Sequence, residues 1–193
     1  MGSISSNHHF ESLSNHFLVA MPGLHDPNFS HAVIYVCEHG PGGAMGLVIN
    51  NPLDVPISQI FEQFELGYSP HIGTQPLLSG GPVQIERGFV LHRAGERQWE
   101  STQTISGEVS LTASRDIISD IAIERGPSEL IITLGYAGWG PGQLEEVLAH
   151  NAWLTVPGDA DILFNTPFER RASAAAAKIG IDLNMLSTDA GHA

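Results

Sequence analysis

The stretch FLVAMPGLHDPNFSHAVIYVCEHGPGGAMGLVINNPL, residues 17–53, decides how this chain is read. Residues 17–21, 31–37 and 46–50 are rich in Val, Ile, Leu and aromatic side chains, and clusters of Gly, Pro, Asn and Asp separate them. Such runs are strands joined by turns. In the middle run Val33, Tyr35 and Cys37 fall on one face, and Ala32, Ile34 and Val36 on the other. Both faces are apolar, so the strand belongs in the interior of a sheet covered on both sides. The segment from Gly40 to Gly46 is glycine-rich but is no phosphate cradle. That loop needs a following helix and a lysine, whereas here a strand follows and the only lysine is Lys178. A hairpin turn is expected.

Outward from this stretch, Asn50-Asn51-Pro52 ends the third strand and Pro56 opens a helix with Asp54 as its cap. Ile57, Ile60, Phe61 and Phe64 recur at helical spacing and form one apolar stripe. Ser79-Gly80-Gly81-Pro82 is a turn. Further strands are expected over 88–92, 109–112 and 129–134. A second helix runs from Ser114 through Ile117, Ile118 and Ile121 to Gly126-Pro127. The spacing predicts a third helix over 141–152, strands over 153–156 and 161–164, and a last helix over 167–178. Thr166 and Glu169 suit a capping box and Gly180 a C-terminal cap. Hairpin-like strands followed by strands mixed with helices indicate an α+β class with a mixed or mostly antiparallel sheet and about four helices.

The 193 residues suit one domain, expected over 16–193 after a polar, disordered leader over 1–15. The leader carries no basic residue and no apolar run, so no secretory signal is expected. Its Met1-Gly2-Ser3-Ile4-Ser5-Ser6 satisfies a short myristoylation pattern. So loose a match is weak, and one acyl chain anchors poorly. With a single cysteine, Cys37, no disulfide framework exists and a cytoplasmic protein is expected. There are 21 acidic side chains against 8 Lys and Arg, for a formal net charge of −13. Phosphate-backbone binding requires clustered cations, so direct nucleic-acid binding is not expected.

The chain resembles the AlgH/YqgE family of bacterial proteins. Met21-Pro22-Gly23-Leu24, Asp26-Pro27-Asn28-Phe29, Gly46-Leu47-Val48-Ile49-Asn50, Gly80-Gly81-Pro82-Val83, Gly135-Tyr136-Ala137-Gly138-Trp139 and Gln143-Leu144-Glu145 carry the resemblance. It extends from about Phe17 to the C-terminus. It implies a curved mixed sheet flanked by helices and a genetic link to regulation, and it brings no catalytic residues. The motifs are Gly, Pro, Asn, aromatic and aliphatic, as a fold signature would be.

Catalytic templates are weak. The types of His25, Asp26, His31, Cys37 and His39 suit zinc, and His31, Cys37 and His39 share strand parity. Paired ligands at short fixed spacing are lacking, and no metal or cofactor is expected. No G-x-S-x-G elbow occurs. His92, His150 and His192 stand singly, and Glu145 and Glu146 are adjacent on a helix and diverge. Residues 135–143 follow a strand and precede a helix. Gly138 and Gly140 match the start of a dinucleotide fingerprint, and Asp159 and Asp161 lie about where a ribose-binding acid would sit. Gln143 replaces the third glycine, however, and Pro141 removes an amide.

The expected function is a non-catalytic domain acting through protein contacts. The alternative is a nucleotide or anion binder, or an enzyme, using the loop from Tyr136 to Gln143. The contact residues expected are Asp26, Asn28, Phe29, Gly80, Gly81, Tyr136, Gly138, Trp139 and Gln143, facing an unidentified protein or small molecule and no membrane.

Overall fold

A computed structural model describes residues 10–186. Its centre is one curled ten-stranded sheet. The strands are β1 (His16–Ala20), β2 (Val33–Gly40), β3 (Gly43–Val48), β4 (Pro52–Pro56), β5 (Pro76–Ser79), β6 (Val83–Arg93), β7 (Gln103–Thr104), β8 (Val109–Thr112), β9 (Leu130–Trp139) and β10 (Trp153–Pro157). They run in the order β10-β1-β2-β3-β9-β6-β8-β7, with the β4–β5 pair branching from β9. All pairings are antiparallel except β5 with β9. β2 and β7 lie far apart in this order, yet Gln103 donates to Glu38 across 2.6 Å. The sheet therefore curls back toward itself.

The α-helices are α1 (Ser58–Gln63), α2 (Arg115–Ala122), α3 (Gln143–Ala149), α4 (Ala160–Asn165) and α5 (Arg171–Lys178). The domain is single and α+β, with five α-helices among the described residues against the four expected. The extra helix is α4, which the sequence presents as a strand over 161–164. The Asp159 carboxylate decides the matter by accepting the amides of Asp161 and Ile162 at 2.9 and 3.3 Å, an N-cap that local β-propensity cannot outweigh.

Other boundaries shift for similar reasons. Residues 52–56 are a strand, and Pro56 pairs with Pro76 instead of opening a helix. Asp54 lies in that strand and caps nothing, since α1 begins at Ser58 without a side-chain cap. The capping box is not formed either. The Thr166 hydroxyl donates to the Asp161 carbonyl at 3.2 Å. Gly180 does end α5. Its φ is +77°, and the amides of Gly180 and Ile181 reach the carbonyls of Ala177 and Ala176 at 2.9 and 3.0 Å, a Schellman arrangement.

Three apolar clusters follow from strand alternation. On β2, Val33, Tyr35 and Cys37 join the large cluster beneath α4 and α5, while Ile34 and Val36 join one that includes Leu144 of α3. Both faces of β2 are buried, as its composition requires. Ile117, Ile118 and Ile121 of α2 and Phe61 near the end of α1 pack on Val90 and Ile132 in the remaining cluster. The expected leader lies outside the described residues over 1–9, along with the myristoylation pattern. Residues 12–15 are fastened to β2: the Ser12 hydroxyl donates to the His39 carbonyl at 3.0 Å, the Asn15 amide to the Val36 carbonyl at 2.9 Å, and the Tyr35 hydroxyl to Asn15 Oδ1 at 2.8 Å.

One polar chain runs inward from the part-buried Trp99 and Thr102 to the buried Thr112 and His92. The Trp99 amide donates to Thr102 Oγ1 at 2.8 Å, the Thr102 and Thr112 hydroxyls are 2.8 Å apart, and Thr112 Oγ1 is 2.8 Å from His92 Nε2. His92 Nδ1 lies 3.0 Å from the Arg93 carbonyl. The ring therefore donates through Nδ1 and accepts at Nε2, the neutral form. Burial lowers its pKa below the usual 6.5, against an opposing hydrogen bond to the Arg93 carbonyl. As pH falls through 6.5 the unfolded chain takes up this proton before the folded one does. Stability is thus complete above that pH and declines below it. His92→Gln is expected to flatten the acid limb of a plot of Tm against pH. Parallel limbs in the two proteins would exclude this role.

Candidate functional site

The turn at residues 26–29 and the turn at 79–82 come together. Asp26 Oδ1 accepts the amides of Asn28 and Phe29 at 2.7 and 3.1 Å, an Asx turn. Phe29 is half-buried, its ring 6.0 Å edge-on from Trp153. Asp26 and Phe29 therefore shape the turn, and Asn28 stands out from it, exposed. A second brace holds the loop from behind. Asn50 Oδ1 accepts the Val33 amide at 2.8 Å, and its Nδ2 donates to the His31 carbonyl at 2.9 Å. The amide side chain thereby continues the β2–β3 ladder by one rung.

The 79–82 turn occupies a fork in the sheet. β9 pairs in parallel with Leu78 and Ser79 through Thr133 and Leu134. Farther along, Ala137, Gly138 and Trp139 pair with Gly46, Met45 and Ala44 of β3. The change falls at Gly135, where φ is +75°. Gly80 bridges the two arms: its amide donates to the Leu134 carbonyl and its carbonyl accepts from Val48, both at 2.8 Å. A side chain at Gly80 would meet the Gly135 carbonyl oxygen at 2.3 Å. Two of the glycine motifs are therefore each other's packing partners.

A cleft of about 330 Å3 opens where these turns meet, lined by Pro27, Asn28, Asn51, Ser79, Gly81 and Ile85, among others. Among the described residues, the Asn28, Asn51 and Ser79 side chains are not spent on hydrogen bonds to other side chains or backbone. Ile85 is 66 % exposed at the rim. It is held outward by an irregularity in β6 between Val83 and Gly88, with φ of +43° at Gln84. The cleft offers neutral amide and hydroxyl groups beside an apolar knob.

Of the nine contact residues expected from sequence, Asn28 and Gly81 line this cleft and Gly80 lies behind it. Tyr136, Gly138 and Trp139 are not in a loop but in β9. The Tyr136 ring packs edge-on against Phe89 at 5.8 Å. Trp139 packs partly buried in the cluster beneath α3 and edges a separate cleft with His39 and Gln103. Gln143 closes the Gly140–Gly142 turn by accepting the Gly140 amide through Oε1 at 2.8 Å. α3 begins at Gln143, two residues later than expected, with Glu145 and Glu146 in its first turn. Sequence reasoning missed Asn51 and Ile85, while Ser79 belongs to the 79–82 turn that the sequence singled out. Asn51 read as a strand stop. The available signal for Ile85 was Gly88, which marks the end of the irregular part of β6.

The other candidate groups are committed elsewhere. His31 adopts φ of +60° before β2 begins, and the β2–β3 register shifts between Val36 and Glu38. These two features break the parity expected of His31, Cys37 and His39. Cys37 is 3 % exposed, and burial, reinforced by Glu38, pushes its thiol pKa up. His39 Nδ1 accepts the Leu13 amide at 2.9 Å, so Nε2 carries the proton it gives to Glu145 at 2.7 Å. The Glu145 amide and then His39 hold that carboxyl below the usual range. Among the described residues, no three His, Cys, Asp or Glu side chains gather as a metal site would require. None of the described helices is long and apolar enough to cross a membrane. His192 lies outside the described residues.

Residues 17–184 match the model of a family described as AlgH-like. A UPF0301 protein of Saccharophagus degradans is 51 % identical over 184 residues, covering 95 % of this chain and 90 % of that one. Another, from Thioalkalivibrio sulfidiphilus, is 50 % identical over 182 residues, covering 94 % and 97 %. The solution structure of AlgH from Pseudomonas aeruginosa aligns over the full length of both chains with a TM-score of 0.78 and 45 % identity. A crystal structure of DIP2367 from Corynebacterium diphtheriae shares the fold, with a TM-score of 0.71 at 18 % identity over 92 % and 93 % of the chains. The motifs that meet at the fork and the cleft are thus set in a whole-length match, and the chain belongs to the AlgH-like family.

Proposed function

We propose that residues 16–193 form one cytoplasmic, non-catalytic domain that acts in regulation by gripping a protein partner at the cleft between residues 26–29 and 79–82. One observation carries the reading: three neutral polar side chains without described hydrogen-bond partners stand beside the exposed Ile85. Amides and hydroxyls of this kind suit the alternating donors and acceptors of a peptide backbone. An exposed aliphatic side chain is an anchor for a partner's apolar pocket. Commitment of the chemically capable groups supports the non-catalytic part. Asp26 holds a turn, Cys37 is buried, His92 is sealed in the core, and His39 is pinned on both nitrogens. Of the eight basic side chains, three pair with carboxylates among the described residues. Arg93 pairs with Glu129 at 2.6 Å and Lys178 with Asp159 at 3.4 Å, and the formal net charge of −13 opposes a nucleic-acid backbone.

A photo-crosslinking residue at position 85 tests the proposal in cells that express the protein. The control is the same residue at position 123, where Ile123 is 54 % exposed and does not line the cleft. A discrete protein adduct is expected from position 85 only. Asn28→Ala combined with Asn51→Ala is expected to reduce it at least about ten-fold, the effect of losing about 1.4 kcal/mol of contact. No adduct, or the same adduct from position 123, would sink the reading.

A further inference from the structure

The irregular part of β6 has a second consequence, because Ile85 also borders a second pocket. Between Val83 and Gly88 the strand peels away from β9. Gly88 faces the same way as Val90, toward α1 and α2. A side chain there would fill space, because a Cβ at Gly88 would meet only Leu134 Cδ2, at 3.9 Å. The apolar cluster under α1 and α2 is consequently open at this end. A pocket of about 520 Å3 enters it, walled by Ile60, Phe64, Ile118, Ile132 and Leu134. That volume is ordinary for a small-molecule site with an apolar interior.

Arg115 stands at the mouth. Its guanidinium lies 4.4 Å from the centroid of the Phe64 ring, and it donates one hydrogen bond to the Phe64 carbonyl at 3.1 Å. Stacking and this bond fix the group in place. A guanidinium has five N–H donors, and Arg115 forms no ion pair with any described carboxylate, unlike Arg93, Arg97 and Lys178. It is a pre-oriented, unneutralised cation beside an apolar cavity in a strongly acidic chain. Glu86 also lines the pocket without pairing with Arg115, so it sets a charge limit on what may enter.

We propose that this pocket binds a small amphipathic carboxylate, with its aliphatic chain between α1, α2 and the sheet and its head on Arg115. Charge complementarity selects the head, since a planar carboxylate matches the guanidinium fork. The apolar walls select the tail, and each methylene buried adds to affinity. Ile85 borders both this pocket and the peptide-gripping cleft, but Arg115 and the apolar walls belong to the pocket alone, so the proposal stands whether or not that reading holds.

Decanoate below its micellar concentration is the probe, with decanol as its uncharged counterpart, followed by methyl and amide NMR titration of the full chain. Shifts are expected at Ile60, Ile118 and Ile132. Arg115→Gln is expected to weaken decanoate about ten-fold or more, the scale of a charge-assisted hydrogen bond, and to leave decanol within about two-fold. Glu86→Gln is expected to strengthen decanoate by removing a like charge. Gly88→Leu projects a side chain into the cavity and should weaken binding of both probes. Should that variant fail to fold, the wild-type shift map decides alone. Absent saturable shifts, shifts centred elsewhere, or equal loss of decanoate and decanol in Arg115→Gln would each overturn the proposal.

Discussion

Replacing Gly81 by alanine is expected to cost about 4 kcal/mol or more, which lies among the largest effects single substitutions produce. Gly81 adopts φ of +150°, and a Cβ there would sit 2.2 Å from the Tyr136 carbonyl carbon and 2.3 Å from its oxygen. Both are backbone atoms of β9, so no side-chain rotation relieves the clash. The turn would have to leave the fork, and the hydrogen bonds that Gly80 makes to Leu134 and Val48 would go with it. Those bonds join the two arms of the sheet, so the damage would not stay local. Total stability for a domain of this kind is about 5–15 kcal/mol. For a chain of this size such a loss lowers Tm by roughly 8–16 °C. The matched control is Gly42→Ala in the β2–β3 turn, where a Cβ meets nothing within 4 Å and φ is not left-handed. It is expected to change stability by about 1 kcal/mol or less. Equal melting of Gly81→Ala and the wild type would refute the account of the fork.

Arg171→Leu is the other large effect. Arg171 opens α5 and is 8 % exposed. Its Nε donates to the Thr166 carbonyl at 3.0 Å, and Nη1 donates to the carbonyl of Ile49 at the far end of β3. One guanidinium thus staples the last long helix to the strand that leads into Asn50. Burial, opposed by Glu169, pulls its pKa down to about 10, so the charge is held in the fold at a cost that these bonds offset. Exchange of a buried ion pair for apolar residues can be neutral. Here the acceptors are backbone carbonyls, which remain after the substitution and would be left unpaired. Two unsatisfied groups, one buried and one part-buried, at about 1–3 kcal/mol each predict a loss of about 2–6 kcal/mol. Arg171→Lys should recover only part of it, because one ammonium does not span both carbonyls in fork geometry. Urea denaturation midpoints in the order wild type, lysine, leucine are expected. A leucine variant as stable as the wild type would mean that the guanidinium contributes nothing net.

The strands were legible where burial is symmetric or strictly alternating. β2 announced an interior position because both its faces are apolar, and the cluster membership of Val33 and Ile34 on opposite sides follows from that pattern. Residues 161–164 looked like a strand because Ile, Leu and Phe favour one. Asp159 reversed that preference by accepting two amides that a strand would leave outward. Gly138 and Trp139 looked like loop residues because Gly135, Gly138, Gly140, Pro141 and Gly142 punctuate the segment. Pairing with β3 drew them into β9 instead.

Amino-acid order alone determined the class, the interior strand, the acidic surface and the absence of a disulfide framework. These depend on composition and on periods of two and three to four residues, which any short window contains. Tertiary structure decided that Gly80, Gly81 and Gly135 face one another, that Asn28 and Ser79 share a cleft, and that Gly88 leaves a pocket under α2. Each of these is a meeting of segments tens of residues apart, and the energy that fixes it resides in through-space packing and hydrogen bonds that no local pattern encodes.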